Sequence, residues 1–429
     1  MWFGLGPGVM IVAGVLVCVG GVVWVVMGHW LMAGVRGRPV SAEDGSAAAR
    51  VGLSPCERWW RGEAGEAMRM RSRADAAGAV AVTGAAGFIG MHASVALADA
   101  GFLVVGMDSF GDYDGAAALK RDRARVLRER HGVEVLEGDA RETLDCVLDN
   151  TSFEPSHVLH LAARAGVRAS VVDPRSYIED NVGLFVDLLE SLRGRPGVRL
   201  VYASSSSVYG RGRQGADGYA EGEGCWDAPE SVYAATKRAD EMIAGVYAKL
   251  HGVASLGLRF FTVYGEYGRP DMAVYSFADR ITRGDPLALY EDYAKREGHQ
   301  SHQEEGNEAS AEPLRRDFTY ISDIVSGIVG AVVRHAEVLE ANVSVINLGR
   351  GRSEPVSRLV DLLEEGIGKE AVRVHVAMPP GDVPATHANI DLARTLLHWT
   401  PSVDLAQGIP RFLAWHALYH NHTHQKHPP

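Results

Sequence analysis

The chain has 429 residues, 46% of them hydrophobic, and 43 basic against 54 acidic side chains give a net charge of -11. That length suits one large α/β domain with attachments, and the acidic balance argues against nucleic acid as a partner, because phosphate contacts need clustered Lys and Arg. Cys18, Cys56, Cys146 and Cys225 fit neither a zinc pattern nor a disulfide framework and read as unpaired thiols.

From Gly8 to Gly28 nearly every residue is apolar, and the first ionised side chain is Arg36. A helix needs about 20 such residues to cross a bilayer. A secretory signal has a basic start and a shorter apolar run, whereas no Lys or Arg precedes this one. One uncleaved transmembrane helix over 8–28 is expected. Arg36 and Arg38 follow it, and the positive-inside rule alone would keep the bulk of the chain in the cytosol. Residues 29–75 have no clear period and read as a stem.

The informative region begins at Gly78. The run AVAVTG predicts a buried strand, and it leads into Gly84-Ala85-Ala86-Gly87-Phe88-Ile89-Gly90 and then a helical pattern ending on Gly101. Strand, glycine turn and helix come in the order of a dinucleotide fingerprint. Gly84 permits the tight turn, Gly87 the approach of a pyrophosphate, and Gly90 close helix–strand packing. The helix N-terminus offers free N–H groups to phosphate. Phe88 and Ile89 complete the expected contacts of the turn. The next strand, FLVVGMD, ends on Asp108. An acid there accepts from ribose hydroxyls and repels a ribose phosphate, so NAD is expected rather than NADP. A third strand ends on Asp139, and a fourth, HVLHLAA, carries Leu161, Ala162 and Ala163, small enough at its end for the backbone to pass near the cofactor. His160 reads as a packed strand residue. The alternation predicts a doubly wound, Rossmann-like parallel sheet.

A fifth strand, VRLVYAS, leads into Ser204-Ser205-Ser206-Ser207-Val208-Tyr209-Gly210, and Tyr233-Ala234-Ala235-Thr236-Lys237 follows on a helix. Residues four apart share a helix face. An ammonium beside a phenol favours the phenolate, which suits a general base for an alcohol proton. A serine ahead of that pair can bridge to the substrate oxygen.

Together the glycine turn, HLAA, SSSSVYG and YAATK resemble the extended short-chain dehydrogenase/reductase family. DSFGDYDGAAALKRDRARVL, HLAARAGVRASVVDPRSYIEDNVGLFVDLLE, RFFTVYGEYGRPDMAVYSF, RRDFTYISDIVSGI and MPPGDVPATHANI resemble its UDP-glucuronate 4-epimerase branch, over roughly residues 78–418. The resemblance implies a catalytic domain over 78–420, NAD-binding mainly in 78–265, with a smaller C-terminal α/β part, mainly 266–418, for a UDP-sugar. It assigns proton handling to Ser205 and Tyr233 and the nicotinamide ribose to Lys237. Asp139 would meet the adenine and Asn181 the inner half of the cofactor. Arg316 would grip the diphosphate, for which a guanidinium fork is suited. Thr262, Arg269 and Arg168 would lie near the sugar and its carboxylate, with Ser206 beside Ser205. The implied reaction is 4-epimerisation through a 4-keto sugar. The resemblance also implies a homodimer and a single-span Golgi membrane protein, its catalytic side in the lumen.

Related decarboxylases carry a Glu just before Val-Tyr-Gly, where this chain has Ser207, and that difference favours simple epimerisation. Another UDP-sugar epimerase, a decarboxylase and a catalytically silent NAD-binding scaffold remain as alternatives. Arg164 stands where the branch has Gln, adding charge near the cofactor phosphates. Residues 291–314 read as an inserted, disordered polar loop. No metal site is expected: His299 and His302 read as solvated. The tail holding His416, His420, His422, His424 and His427 reads as a frayed terminus.

Overall fold

The computed structural model describes residues 17–19, 22–24, 59–62, 76–112, 116–212, 217–222, 228–292 and 312–426. The chain divides into two units, 1–52 and 53–429, each treated by itself.

In the first unit Val17–Val19 and Val22–Trp24 pair as antiparallel strands, with Val19 opposite Val22. This corrects the expected continuous helix over 8–28, whose other residues lie outside the described set. Valines recur in both strands and favour extended structure. Among the described residues no helix is long and apolar enough to cross a membrane.

The second unit is built on a parallel sheet. Its strands are β1 (Ala79–Thr83), β2 (Leu103–Asp108), β3 (Glu134–Glu137), β4 (His157–His160), β5 (Arg199–Ser205), β6 (Ser255–Phe260) and β10 (Val345–Leu348). Their order is β10-β6-β5-β4-β1-β2-β3, and every pairing is parallel. β1 and β2 are buried at every position, which is why they read as apolar runs rather than alternations. Connecting helices include α1 (Phe88–Asp99), α2 (Ala117–His131), α3 (Ala140–Leu148), α4 (Leu184–Arg193) and α5 (Val232–His251). The chain runs from β1 outward through β2 to β3, then restarts on the other side at β4. That reversal leaves a crevice at the carboxyl ends of β1 and β4, where such sheets bind ligands.

The smaller C-terminal part contains β7 (Thr262–Tyr264), α6 (Ala273–Arg283), β8 (Pro286–Asp292), β9 (Phe318–Tyr320), α7 (Ile321–Val333), α8 (Val356–Ile367), β11 (Val372–Ala377) and α9 (Leu405–Lys426). β8 pairs in parallel with β11, and β9 with β7.

Four expectations change. Residues 59–61 are helical, and Trp60 is buried beside Phe153, so part of the predicted stem belongs to the domain core. The large apolar area of the Trp60 ring rewards that burial. Cys146 is disulfide-bonded rather than a free thiol. The edges of the 291–314 segment are strands, with Glu291 opposite Pro313 and Asp292 opposite Glu312, while 293–311 lies outside the described residues. The histidine tail is not frayed up to Lys426, because α9 continues through it.

Candidate active site

A cavity of about 660 Å³ opens at the crevice. On the cofactor side it is lined by Gly84, Gly87, Phe88, Ile89, Gly90, Asp108, Asp139 and the segment Leu161-Ala162-Ala163. Gly84 has φ +70°, and a Cβ there would lie 2.7 Å from the Ala162 nitrogen. The residue must therefore be glycine on two counts, conformation and space. A Cβ on Gly90 would overlap the Gly84 carbonyl, so the turn closes only on a bare backbone. Asp108 ends β2 with its carboxylate already organised. Its Oδ2 accepts from the Ala86 N–H at 3.0 Å, and its Oδ1 accepts from the Phe110 N–H at 2.8 Å and Lys120 Nζ at 3.4 Å. Asp139 caps α3, accepting from the Arg141 N–H.

The opposite wall carries Ser205, Ser206, Tyr233 and Lys237. Ser205 ends β5 and accepts from the Ser207 N–H at 3.2 Å, which fixes its hydroxyl at the start of a short turn. α5 is begun by Ser231, whose hydroxyl accepts from the Ala234 N–H, and so Tyr233 enters the helix in its first turn at the cavity rim. Lys237 follows one turn deeper and is almost fully buried, donating to Asp240 Oδ2 at 3.1 Å. Burial pushes the Asp240 carboxyl up to about 6, with Lys237 opposing. Beneath this wall Glu241 accepts from Ser204 Oγ at 2.6 Å and from Arg259 Nε at 2.8 Å and Nη2 at 2.7 Å. His160, behind Lys237, is buried and hydrogen-bonded to Thr83, and burial lowers it to about 3, so it stays neutral as expected of a packed residue.

The far end holds Thr262, Arg168, Arg269 and Arg316. Arg168 Nη2 and Arg316 Nη2 lie 3.2 Å and 3.7 Å from the two oxygens of Asp382. Arg168 also stacks over Tyr290, 4.4 Å from the ring centre. Burial lowers the Arg316 guanidinium from its ordinary value, with Asp382 opposing. Arg269 is held by Asp271 at 2.6 Å and by the Ala165 carbonyl at 3.1 Å. Thr262 donates its N–H to the Asp317 carbonyl, aligning β7 with β9 along the wall.

The cavity thus joins a dinucleotide turn, a Ser/Tyr/Lys wall and an arginine end on one chain. A model of the NAD-dependent epimerase/dehydratase family matches residues 80–349. The chain belongs to that family. The chain is similar to UDP-glucuronate 4-epimerase 6 of Arabidopsis thaliana, with 42% identity covering 80% of this chain and 72% of the relative. UDP-glucuronate 4-epimerase 4 of the same plant is 40% identical, over 84% and 80%. A solved UDP-glucuronic acid 4-epimerase from Bacillus cereus, in complex with UDP-glucuronic acid and NAD, superposes with a TM-score of 0.66 at 30% identity, covering 80% of this chain and 99% of that one.

Among the site residues expected of this family member, Asn181 alone does not line the cavity. It is buried in the helical turn Ile178–Gly183, accepts from the Arg164 N–H at 2.8 Å, and donates to the Arg164 carbonyl and Thr236 Oγ1 at 3.0 Å. An amide that satisfies both backbone groups of one residue positions a loop rather than a ligand. Arg164 does line the cavity, and its charge is paired with Asp180.

Sequence reasoning missed Lys120, Arg123 and Asp382. Arg123 is fully buried and donates to the carbonyls of Ala86 and Tyr267, tying the glycine turn to the loop after β7. A signal existed: Lys120 and Arg123 fall among Leu119, Val126 and Leu127 on the inward face of α2. Asp382 sits in a Pro-Gly-Asp turn and had no partner visible in the sequence.

Proposed function

We propose that this chain is an NAD-dependent UDP-glucuronate 4-epimerase producing UDP-galacturonate. The observation that carries the reading is the shared cavity, in which the dinucleotide turn and the Ser/Tyr/Lys wall face an arginine-bearing end. The residues fit the cofactor: only glycine can occupy position 84, and Asp108 presents a carboxyl acceptor where an adenosine ribose would lie.

NAD, held by the glycine turn, Asp108 and Lys237, would supply reversible hydride transfer at C4 of the sugar. The protein supplies the rest. Tyr233 takes the proton of the 4-hydroxyl and returns it after the sugar has turned over. Lys237 supplies positive charge next to that proton transfer and holds the ribose. Ser205 hydrogen-bonds the same sugar oxygen. Arg316 and Arg168 release Asp382 in part to grip the diphosphate. Arg269 and Thr262 hold the carboxylate. A 4-keto sugar with a carboxylate on C5 loses carbon dioxide readily, so this last restraint separates an epimerase from a decarboxylase. Ser207, in place of an acid, supports the same side.

The reading extends to assembly and place. Val172, Ile178, Met242, Val246 and Leu250 are all exposed, and the last three share one face of α5. Exposed apolar rows of this kind mark association surfaces, and this one supports pairing with a second copy. The uncharged, apolar composition of 8–28 supports attachment to a Golgi membrane. The disulfide at Cys146 supports a lumenal catalytic side, because such bonds persist in oxidising compartments. Arg36 and Arg38 weigh the other way. Protease protection in sealed vesicles separates the two orientations.

The test uses the full chain with UDP-glucuronate and no added NAD, with products separated by chromatography. UDP-galacturonate supports the proposal and shows retained cofactor. UDP-xylose makes the protein a decarboxylase. No conversion even with NAD supplied rejects this substrate.

A further inference from the structure

Away from the cavity, α9 meets α6 at a cluster the reaction does not use. His416 Nε2 lies 2.8 Å from Asp279 Oδ1, and His420 Nε2 lies 3.4 Å from the same oxygen. All three atoms lie within 4.8 Å of one another. We propose that Asp279, His416 and His420 form a binding site for a divalent ion of the zinc class, clasping α9 to α6.

Ligand type and spacing carry the inference. Histidines four apart on one helix put two imidazoles on one face, an arrangement used for zinc. Ligands about 2.0–2.1 Å from a tetrahedral zinc lie about 3.3 Å from each other, and the two nitrogen–oxygen separations bracket that value. Three protein ligands leave a fourth position, and Tyr275 Oη, 3.3 Å from His420 Nε2, stands next to it. The carboxylate is oriented for the task. Arg283 donates to its other oxygen, Oδ2, at 3.2 Å, so Oδ1 faces the imidazoles. His416 is buried against the rings of Phe412 and Tyr275, which limits competing water. α6 also sends Ala273, Ser276 and Phe277 to the cavity, so the clasp would brace one wall of the active site.

The test strips the full chain with chelator, then titrates Co2+ by its visible absorption and follows thermal unfolding with Zn2+. Three variants are compared with the parent: Asp279→Asn, His416→Ala, and the triple His422→Ala/His424→Ala/His427→Ala. One equivalent of Co2+ and a raised Tm with Zn2+ are expected in the parent and the triple variant. Asp279→Asn and His416→Ala should bind at least about tenfold more weakly, since even outer partners of a metal ligand are worth that much. The inference is overturned if the parent binds no Co2+, if Asp279→Asn binds as the parent does, or if only the triple variant loses binding, which would assign the metal to the tail.

Discussion

Removing the Arg259 guanidinium should destabilise the protein through the buried pair beneath the active-site wall. Arg259 and Glu241 are each 2% exposed at their side chains, and their carboxylate–guanidinium contact uses two hydrogen bonds of 2.8 Å and 2.7 Å. Arg259→Met keeps the length and apolar stem but leaves Glu241 charged and buried. Breaking such a pair from one side costs about 3–5 kcal/mol. Ser204 and the half-exposed Arg238 still donate to Glu241, so the lower end applies, about 3 kcal/mol. At about 2.1 cal/mol/K of unfolding entropy per residue, each kcal/mol lowers Tm by about 1–2 °C in a unit this long, so a fall of about 4 °C is expected by calorimetry. The double variant Glu241→Met/Arg259→Met removes both charges and should recover part of that loss, because an apolar pair needs no solvation. A cost below about 1 kcal/mol for Arg259→Met, or a double variant no better than the sum of the singles, would refute the claim that this is a desolvated pair.

Three further outcomes are expected. Tyr233→Phe should lose about 10²–10⁴-fold in kcat, the usual worth of a general base, while retaining NAD and its Tm; unchanged turnover would remove Tyr233 from the proton path. Thr262→Ala should release some pentose nucleotide, detected by chromatography, if its hydroxyl restrains the sugar carboxylate; no pentose and no change in turnover would end that idea. Stability should also fall in acid. Burial lowers His157 and His335 to about 4, against about 6.5 when unfolded. Their neutral folded forms contribute fully above the unfolded value, and the contribution is lost as pH falls from about 6.5 towards 4, because only the unfolded chain takes up the proton. Urea unfolding at several pH values checks this, and His335→Gln should flatten the slope; an equally steep slope would show that other groups control it.

The second unit's fold was legible because its signals are local. Apolar runs of β1 and β2, a glycine turn that tolerates only bare backbone, and Asp108 at a strand end need no distant partner to be read. Tyr233 and Lys237 were legible for the same reason, as neighbours on one helix face. Only the tertiary structure decided which residues meet across the chain. Asn181 turned from a ligand contact into a clamp on Arg164, because its partners lie 17 and 55 residues away. Trp60 left the expected stem for the core when Phe153 supplied an apolar neighbour. Val17–Val19 and Val22–Trp24, expected within one helix, pair as strands instead. His416 and His420 looked like tail residues until α6 brought Asp279 beside them. A sequence fixes what each segment can become; long-range packing fixes which charged and polar groups find a partner, because burying them alone is too costly.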